Sequence, residues 1–242
     1  MFDPNSKYLS AYSPNDGTIE FYNRICSLIN ENSTVVDFGA GRGSWINDKC
    51  EYRLKTRTLK NKVNKLIGID IDEEVLQNKS THENFILKEK IPLTDNSVDL
   101  VICDWVLEHV ENPSEFYYEI NRILKPNGFF VARTPYKYSY LALIAKIVPN
   151  KLHKLVVSYI QKEREKEDVF PTYYRLNTKK KISKVFKNFE NYSYFKTPDP
   201  AYYFNNRIFF FLFELLHKFA PKHFTSMLFV FLKKKSTVLE KT

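Results

Sequence analysis

Ile19, Tyr22, Ile25, Leu28 and Ile29 recur at three- and four-residue spacing, which predicts an amphipathic helix over residues 18–30 with Asp16 or Thr18 as its cap. The pattern then changes period. Thr34–Phe38, Lys65–Asp70 (KLIGID), Phe85–Leu87 and Val98–Cys103 (VDLVIC) are short apolar runs, as expected of strands covered on both faces. A charged helical stretch separates the first two, and a helix is expected to begin at Asp72–Asn78. Residues 114–124 (SEFYYEINRIL) return to helical spacing with Ser114 as the expected cap, and Pro126-Asn-Gly128 is expected to stop that helix before a fifth strand, Phe129–Arg133. Strands alternating with helices this regularly predict an α/β fold with a mostly parallel sheet and helices on both faces.

The regularity breaks after Thr134-Pro135. Residues 138–162 read as an apolar-basic helical region interrupted by Pro149, followed by a charged turn and VFPTYYRLNT at 169–178. Phe186–Tyr194 and Met227–Leu232 read as strands again, with an aromatic helix at 207–219 between them. The organisation expected is one domain over 1–242. It comprises an N-terminal helical cap (1–32), a core (33–135), a helical lid insertion between strands five and six (136–180), and the final strands with the aromatic helix (181–242).

With 43% hydrophobic and 27% charged residues, the 242-residue chain has an ordinary globular composition. Its 37 basic and 28 acidic residues give a net charge of +9, compatible with nucleic acid, anionic lipid or a phosphorylated substrate. The run Lys55, Arg57, Lys60, Lys62 and Lys65 reads as a solvated face or a docking patch. Three cysteines, Cys26, Cys50 and Cys103, lack CxxC spacing, which argues against a disulfide framework or a structural zinc site and fits a reducing cytoplasm. The opening MFDPNSKYLS lacks the apolar stretch of a signal peptide, and no run approaches the ~20 apolar residues of a membrane span. A soluble protein is expected, or one at most peripheral to a membrane.

The chemistry concentrates in VVDFGAGRGSW, residues 35–45. A buried strand runs into three glycines that let the backbone turn sharply and approach a ligand. Such a loop also serves NAD, FAD and plain turns. Two details narrow the choice. Asp37 precedes the loop by two residues, where an acid repels a pyrophosphate but suits a ligand carrying an amine. The next strand ends in Gly68-Ile-Asp70, placing a carboxylate where it can accept hydrogen bonds from ribose hydroxyls. Asp72 reads instead as a helix cap.

VVDFGAGRG, IGIDID, IPLTDNSVDLVICDWVLEHVENP and RILKPNGFFVARTP, in this order over residues 35–135, resemble the class I S-adenosylmethionine-dependent methyltransferases. The resemblance implies a Rossmann-like sheet of seven strands, the last antiparallel, with S-adenosyl-L-methionine and substrate across the strands' carboxyl ends. It assigns Asp37, Phe38 and the loop residues Gly39, Ala40, Gly41 and Gly43 to the methionine end. Asp70 is assigned to the ribose, Ile71 to the adenine face, and Asp104 to the methionine moiety. Glu89, within Leu87-Lys88-Glu89-Lys90, is the candidate for the adenine amine, with a main-chain contact as the alternative.

Beyond strand four stand Asp104, Glu108 and His109. A histidine at the mouth of the site could take a hydroxyl proton, which makes His109 and Asp104 the catalytic candidates. Alternatively, Glu108-His109 caps or starts a helix and sits beside the pocket, not in it. Trp105 stands where the Glu-x-x-Glu-His pattern of metal-dependent relatives has its first ligand, so no metal is expected. The acceptor candidates are Glu108, Arg133 and Tyr136, with Tyr173, Tyr174 and Arg175 of the insertion, which either grip a sugar or phosphate or pack the lid. The insertion is loosely similar to methyltransferases of bacterial surface-glycan gene clusters. The expected reaction is therefore O-methylation of a sugar, glycan precursor or other small metabolite, in the cytoplasm or at the inner face of the membrane. An RNA methyltransferase is the alternative, though Cys103-Asp-Trp-Val replaces the Asn/Asp-Pro-Pro-Tyr/Phe of base-methylating enzymes and makes nucleic acid the less expected partner. A catalytically inactive binding or scaffold protein is a further alternative. Leu141–Tyr159 and Ile208–Phe219, apolar and dotted with lysine, read as core and lid helices or as a peripheral membrane contact.

Overall fold

The computed structural model describes residues 2–140, 142–143, 170–200, 203 and 206–236. Helix α1 (Gly17–Cys26) is capped by Asp16, whose carboxylate accepts from the Thr18 and Ile19 N–H groups at 2.9 Å, so the cap is Asp16 and not Thr18. It leads through β1 (Thr34–Phe38) to α2 (Glu51–Arg57), β2 (Lys65–Asp70) and β3 (Glu83–Ile86). The element expected from Asp72 is only a 3-10 turn, Glu73–Gln77, with the Asp72 side chain on the Glu74 N–H at 3.0 Å. Then come β4 (Val98–Asp104), α3 (Pro113–Ile123), β5 (Leu124–Pro135), α4 (Lys179–Val185), β6 (Phe189–Asn191) and β7 (Tyr194–Lys196). The aromatic helix α5 (Arg207–Phe219), a short α6 (Lys222–Thr225) and β8 (Met227–Lys234) complete the described elements.

Two expected boundaries shift for local reasons. Asn112, not Ser114, caps α3, because Pro113 occupies the first helical position, where a missing N–H costs nothing. The chain then enters β5 at Leu124, five residues earlier than expected. Pro126-Asn-Gly128 forms an irregularity inside the strand, with Asn127 in the left-handed region and the β4 register shifting between Val98 and Leu100.

The sheet runs β3-β2-β1-β4-β5-β8-β6, with β7 also paired to β8. The first five strands are parallel and β8 is antiparallel to β5. The single strand expected over Phe186–Tyr194 is instead two. Phe186 ends α4, and Asn191 turns the chain by accepting the Ser193 N–H at 2.9 Å. β6 then pairs with the Leu232–Lys234 end of β8 and β7 with the Met227–Phe229 end. The sheet has eight strands because its sixth is broken.

Successive strand residues bury on opposite faces, which is why the apolar runs are continuous. Val36, Ile67, Val101 and Ala132 join Ile120 of α3 and Ile182 of α4 on one side. Val35, Leu66, Leu100 and Val131 join Phe21 and Ile25 of α1 on the other. Cys103 is fully buried and behaves as a small hydrophobe; all three cysteines are free. Most of the expected lid, with the helical region 138–162 and the stretch Leu141–Tyr159, falls outside the described residues.

Candidate functional site

In the parallel register Asp37 lies opposite Gly68 on one side and Ile102 on the other, each two residues short of an aspartate. Asp37, Asp70 and Asp104 therefore converge at the carboxyl ends of three adjacent strands, β2, β1 and β4. Beyond Phe38 the chain doubles back with the Gly39 N–H donating to the Ile69 carbonyl at 2.7 Å. Gly39 has φ +79°, and a Cβ there would overlap the Val106 side chain. Gly41 has φ +50° and nothing within 4 Å of the same position, so the backbone there faces open space. Gly43 ends the turn, also at positive φ. The buried Asn78 holds the loop from below, its amide donating to the carbonyls of Ala40 (3.2 Å) and Gly41 (3.0 Å). Gly39→Ala is expected to cost about 2 kcal/mol through overlap and backbone strain, read as a lowered urea midpoint.

Asp70 accepts the Gly41 N–H at 2.8 Å and the Asp72 N–H at 3.1 Å. Beside it, Ile71 is 61% exposed, an apolar surface with no core to fill. Leu87 donates its N–H to the Asp70 carbonyl at 2.6 Å, which brings the loop after β3 to the site, and Glu89 stands exposed in that loop. Burial pushes the Asp37 carboxyl up to about 7; Arg57 works against this, and the Asp104 and Asp70 carboxylates add to it. A ligand bearing positive charge beside Asp37 would favour its ionised form.

Asp104 is already engaged. Burial opposes its charge, but the Arg133 guanidinium meets it with two hydrogen bonds (2.5 and 2.9 Å), Arg57 stands 3.5 Å away and the Tyr22 hydroxyl donates at 3.2 Å. Together these hold its carboxyl below the usual range. Arg133 is 5% exposed and spends its third contact on the Thr18 hydroxyl at 2.7 Å, tying α1 to the sheet. The expectation that Arg133 grips an acceptor gives way to this structural role. Arg57 also departs from its expected place on a solvated face. It lies over the rings of Tyr22 (5.3 Å) and Trp45 (5.0 Å), with its charge turned to the acids.

A second group surrounds the 3-10 turn Leu107–His109. Glu108 is buried in the middle of that short turn, whose cap is Val106. Its carboxylate accepts from the Thr134 hydroxyl at 2.7 Å, and its carbonyl accepts the N–H groups of Tyr173 (2.8 Å) and Tyr174 (3.2 Å). Asn177, which no sequence signal singled out, donates to the Thr134 hydroxyl at 2.6 Å and to the Pro135 carbonyl at 3.2 Å. His109 places Nδ1 2.8 Å from the Pro171 carbonyl. A carbonyl only accepts, so Nδ1 carries the hydrogen and the basic lone pair of the neutral ring is on Nε2. Tyr173 is exposed beneath the Arg175 guanidinium (5.3 Å), and both bind Glu111, through its carboxylate and its carbonyl respectively. Tyr174 is buried with positive φ and packs the turn. Tyr136 lies apart, against Phe195 at 4.9 Å and His223 at 5.9 Å. Among the described residues, no three His, Cys, Asp or Glu side chains are grouped as a metal site requires.

Residues 36–132 match the family described as "Methyltransferase domain". An uncharacterised methyltransferase of Schizosaccharomyces pombe is 33% identical over 113 residues, 41% of this chain and 38% of the relative, so the match spans well under half of that protein. A ubiquinone biosynthesis O-methyltransferase of Hydrogenovibrio crunogenus is 24% identical over 63% of this chain and 66% of its own length. Among solved structures, a SAM-dependent methyltransferase of Methanosarcina mazei superposes with a TM-score of 0.53 at 18% identity, covering 88% of this chain and 97% of that one. The last likeness establishes the fold alone.

Proposed function

We propose that this chain, which has the class I S-adenosylmethionine-dependent methyltransferase fold and carries the methyltransferase domain, methylates an oxygen of a sugar, glycan precursor or other small metabolite. S-adenosyl-L-methionine is the cofactor that domain and fold imply. The single observation carrying the reading is the set of three converging carboxylates beside the open backbone at Gly41. Asp37, desolvated by burial with no hydrogen-bond donor on it among the described residues, and the loop-bound Asp70 suit a ligand with an amine, a sulfonium and a ribose.

Asp37 and the Gly39–Gly43 backbone would hold the amino-acid end, Asp70 the ribose hydroxyls, and Ile71 one face of the adenine. Glu89 is positioned in sequence for the adenine amine. Asp104, fixed by Arg133, would keep negative charge near the sulfonium. When bound, the cofactor supplies an electrophilic methyl group. The chain's task is then to orient the acceptor and take its proton. His109 is suited to this, since its ring is held by Pro171 with the basic lone pair on Nε2. Tyr173 and Arg175 form an exposed aromatic-cation pair that would stack on and grip an acceptor. The name of the Hydrogenovibrio relative favours oxygen as the methylated atom.

Calorimetric titration with S-adenosylmethionine and S-adenosylhomocysteine tests the reading. Micromolar binding, about −8 kcal/mol, is expected; absence of binding by a well-folded protein would sink it. The pH dependence has a definite sign. The folded state holds a proton on Asp37 up to about pH 7, whereas the unfolded chain releases it near 4, so this group removes stability from the free protein as pH rises through that window. A cationic ligand needs the ionised form. Affinity should therefore rise about tenfold between pH 6 and 8, with proton release detected by comparing buffers of different ionisation enthalpy. Asp37→Asn should flatten the profile.

The net charge of +9 favours a second reading, an RNA acceptor. Filter binding across salt concentrations separates them, because an RNA acceptor requires affinity that falls steeply with salt.

A further inference from the structure

Helix α5 is apolar on both of its sides. Its inward side carries Phe210, 7% exposed against Phe2 and Tyr203, and the half-buried Phe213, stacked on Tyr140 at 5.8 Å, together with polar groups. His217 lies 3.0 Å from the Pro198 carbonyl and 3.2 Å from the Tyr140 hydroxyl, and Glu214 pairs with Lys7 at 3.7 Å. Its outward side carries Ile208, Phe211, Leu212, Leu215 and Phe219, between 36% and 75% exposed. On a 3.6-residue helix these five fall within about 100° of arc, one continuous apolar stripe. Arg207 and Lys218 stand exposed beside it on the same helix, and the only acid of the helix is the paired Glu214.

From this stripe and its basic rim, the geometry points to α5 as a membrane-docking helix that lies in the plane of an anionic lipid surface, its apolar side chains in the interface and its cations on the headgroups. A large exposed apolar patch marks a binding surface, and the charge beside it selects the partner. The chain's net +9 acts in the same direction over longer range. A second copy of the chain fits less well. The helix is about 20 Å long, and one face of it supplies far less than the about 800 Å² per partner of a stable dimer. Among the described residues no helix is long and apolar enough to cross a bilayer, so the contact is peripheral.

The test is co-sedimentation of the full chain with vesicles of phosphatidylcholine alone, or with about a third phosphatidylglycerol. The chain is compared with Phe211→Ser/Leu215→Ser/Phe219→Ser, whose positions are exposed and outside the cofactor site. The chain is expected to pellet with the anionic vesicles, less so at high salt, and the triple variant to bind at least about tenfold more weakly. Unchanged S-adenosylmethionine affinity in the variant keeps this result separate from the enzymatic reading. Failure of the chain to pellet, or equal pelleting of the variant, overturns the proposal. Two other outcomes also overturn it. A dimer that the substitutions dissolve, seen by light scattering, assigns the stripe to a second copy. A large drop in melting temperature assigns it to packing within the chain itself.

Discussion

Arg133→Met should destabilise the protein by about 3–5 kcal/mol, the cost of leaving a buried charge without its partner. Both members of the pair are almost wholly enclosed, with side chains 6% and 5% exposed. In the variant, Asp104 keeps only Arg57 at 3.5 Å and the Tyr22 hydroxyl at 3.2 Å, neither of which replaces a two-pronged guanidinium. The loss of the contact to Thr18 also loosens α1. Urea unfolding at neutral pH measures the deficit. In the native protein the depressed Asp104 pKa contributes stability above the ordinary carboxylate range, lost as pH falls through the folded value. The variant has lost that contribution, so the gap between the two proteins should narrow toward acid pH, where Asp104 takes a proton. Adding Asp104→Leu should recover much of the loss, because the penalty belongs to the unpaired charge. A full deficit in the double variant would show that the pair itself, and not its imbalance, stabilises the fold.

If Asp70 binds the ribose as proposed, Asp70→Ala should lower S-adenosylmethionine affinity at least about a hundredfold, since two charge-assisted hydrogen bonds to ribose hydroxyls would be lost together. The free protein gives the same carboxylate a second duty, accepting the Gly41 and Asp72 N–H groups. Asp70→Asn separates the two duties, because the amide oxygen still accepts from the loop while its nitrogen can only donate. Calorimetry should show the asparagine variant weakened but measurable, with a melting temperature close to the parent's. An alanine variant that binds as well as the parent would remove Asp70 from the site.

What was legible in the sequence was what is local. The five parallel strands, the glycine turn and α5 over residues 207–219 each announce themselves through a period or a cluster read in one short window. The carboxylates were legible because residues at the carboxyl end of a strand have only one place to be. Arg133 was not. Its partners Asp104 and Thr18 lie 29 and 115 residues away, and nothing near Arg133 distinguishes an arginine aimed at a substrate from one aimed at the core. Arg57 failed for a related reason: a basic run looks solvated, while Tyr22 and Trp45, which enclose it, lie on other segments. Asn78 and Asn177 carry no signal at all, because a short amide that satisfies distant backbone resembles any turn asparagine. The broken sixth strand rests on one Asx turn at Asn191, too small a feature to mark a boundary beforehand.

The place of β8 bears on how the chain is made. It is the last of the described strands in sequence, yet it sits inside the sheet, between β5 and the pair β6 and β7. Until residues 227–234 leave the ribosome, β5 presents an open edge whose Phe129–Ala132 stretch is a ready template for a neighbouring nascent chain. Parallel strands paired across long loops already fold slowly, so this interval is where the protein is most exposed to aggregation. Slowing translation once β5 has emerged and before β8 should lower soluble yield.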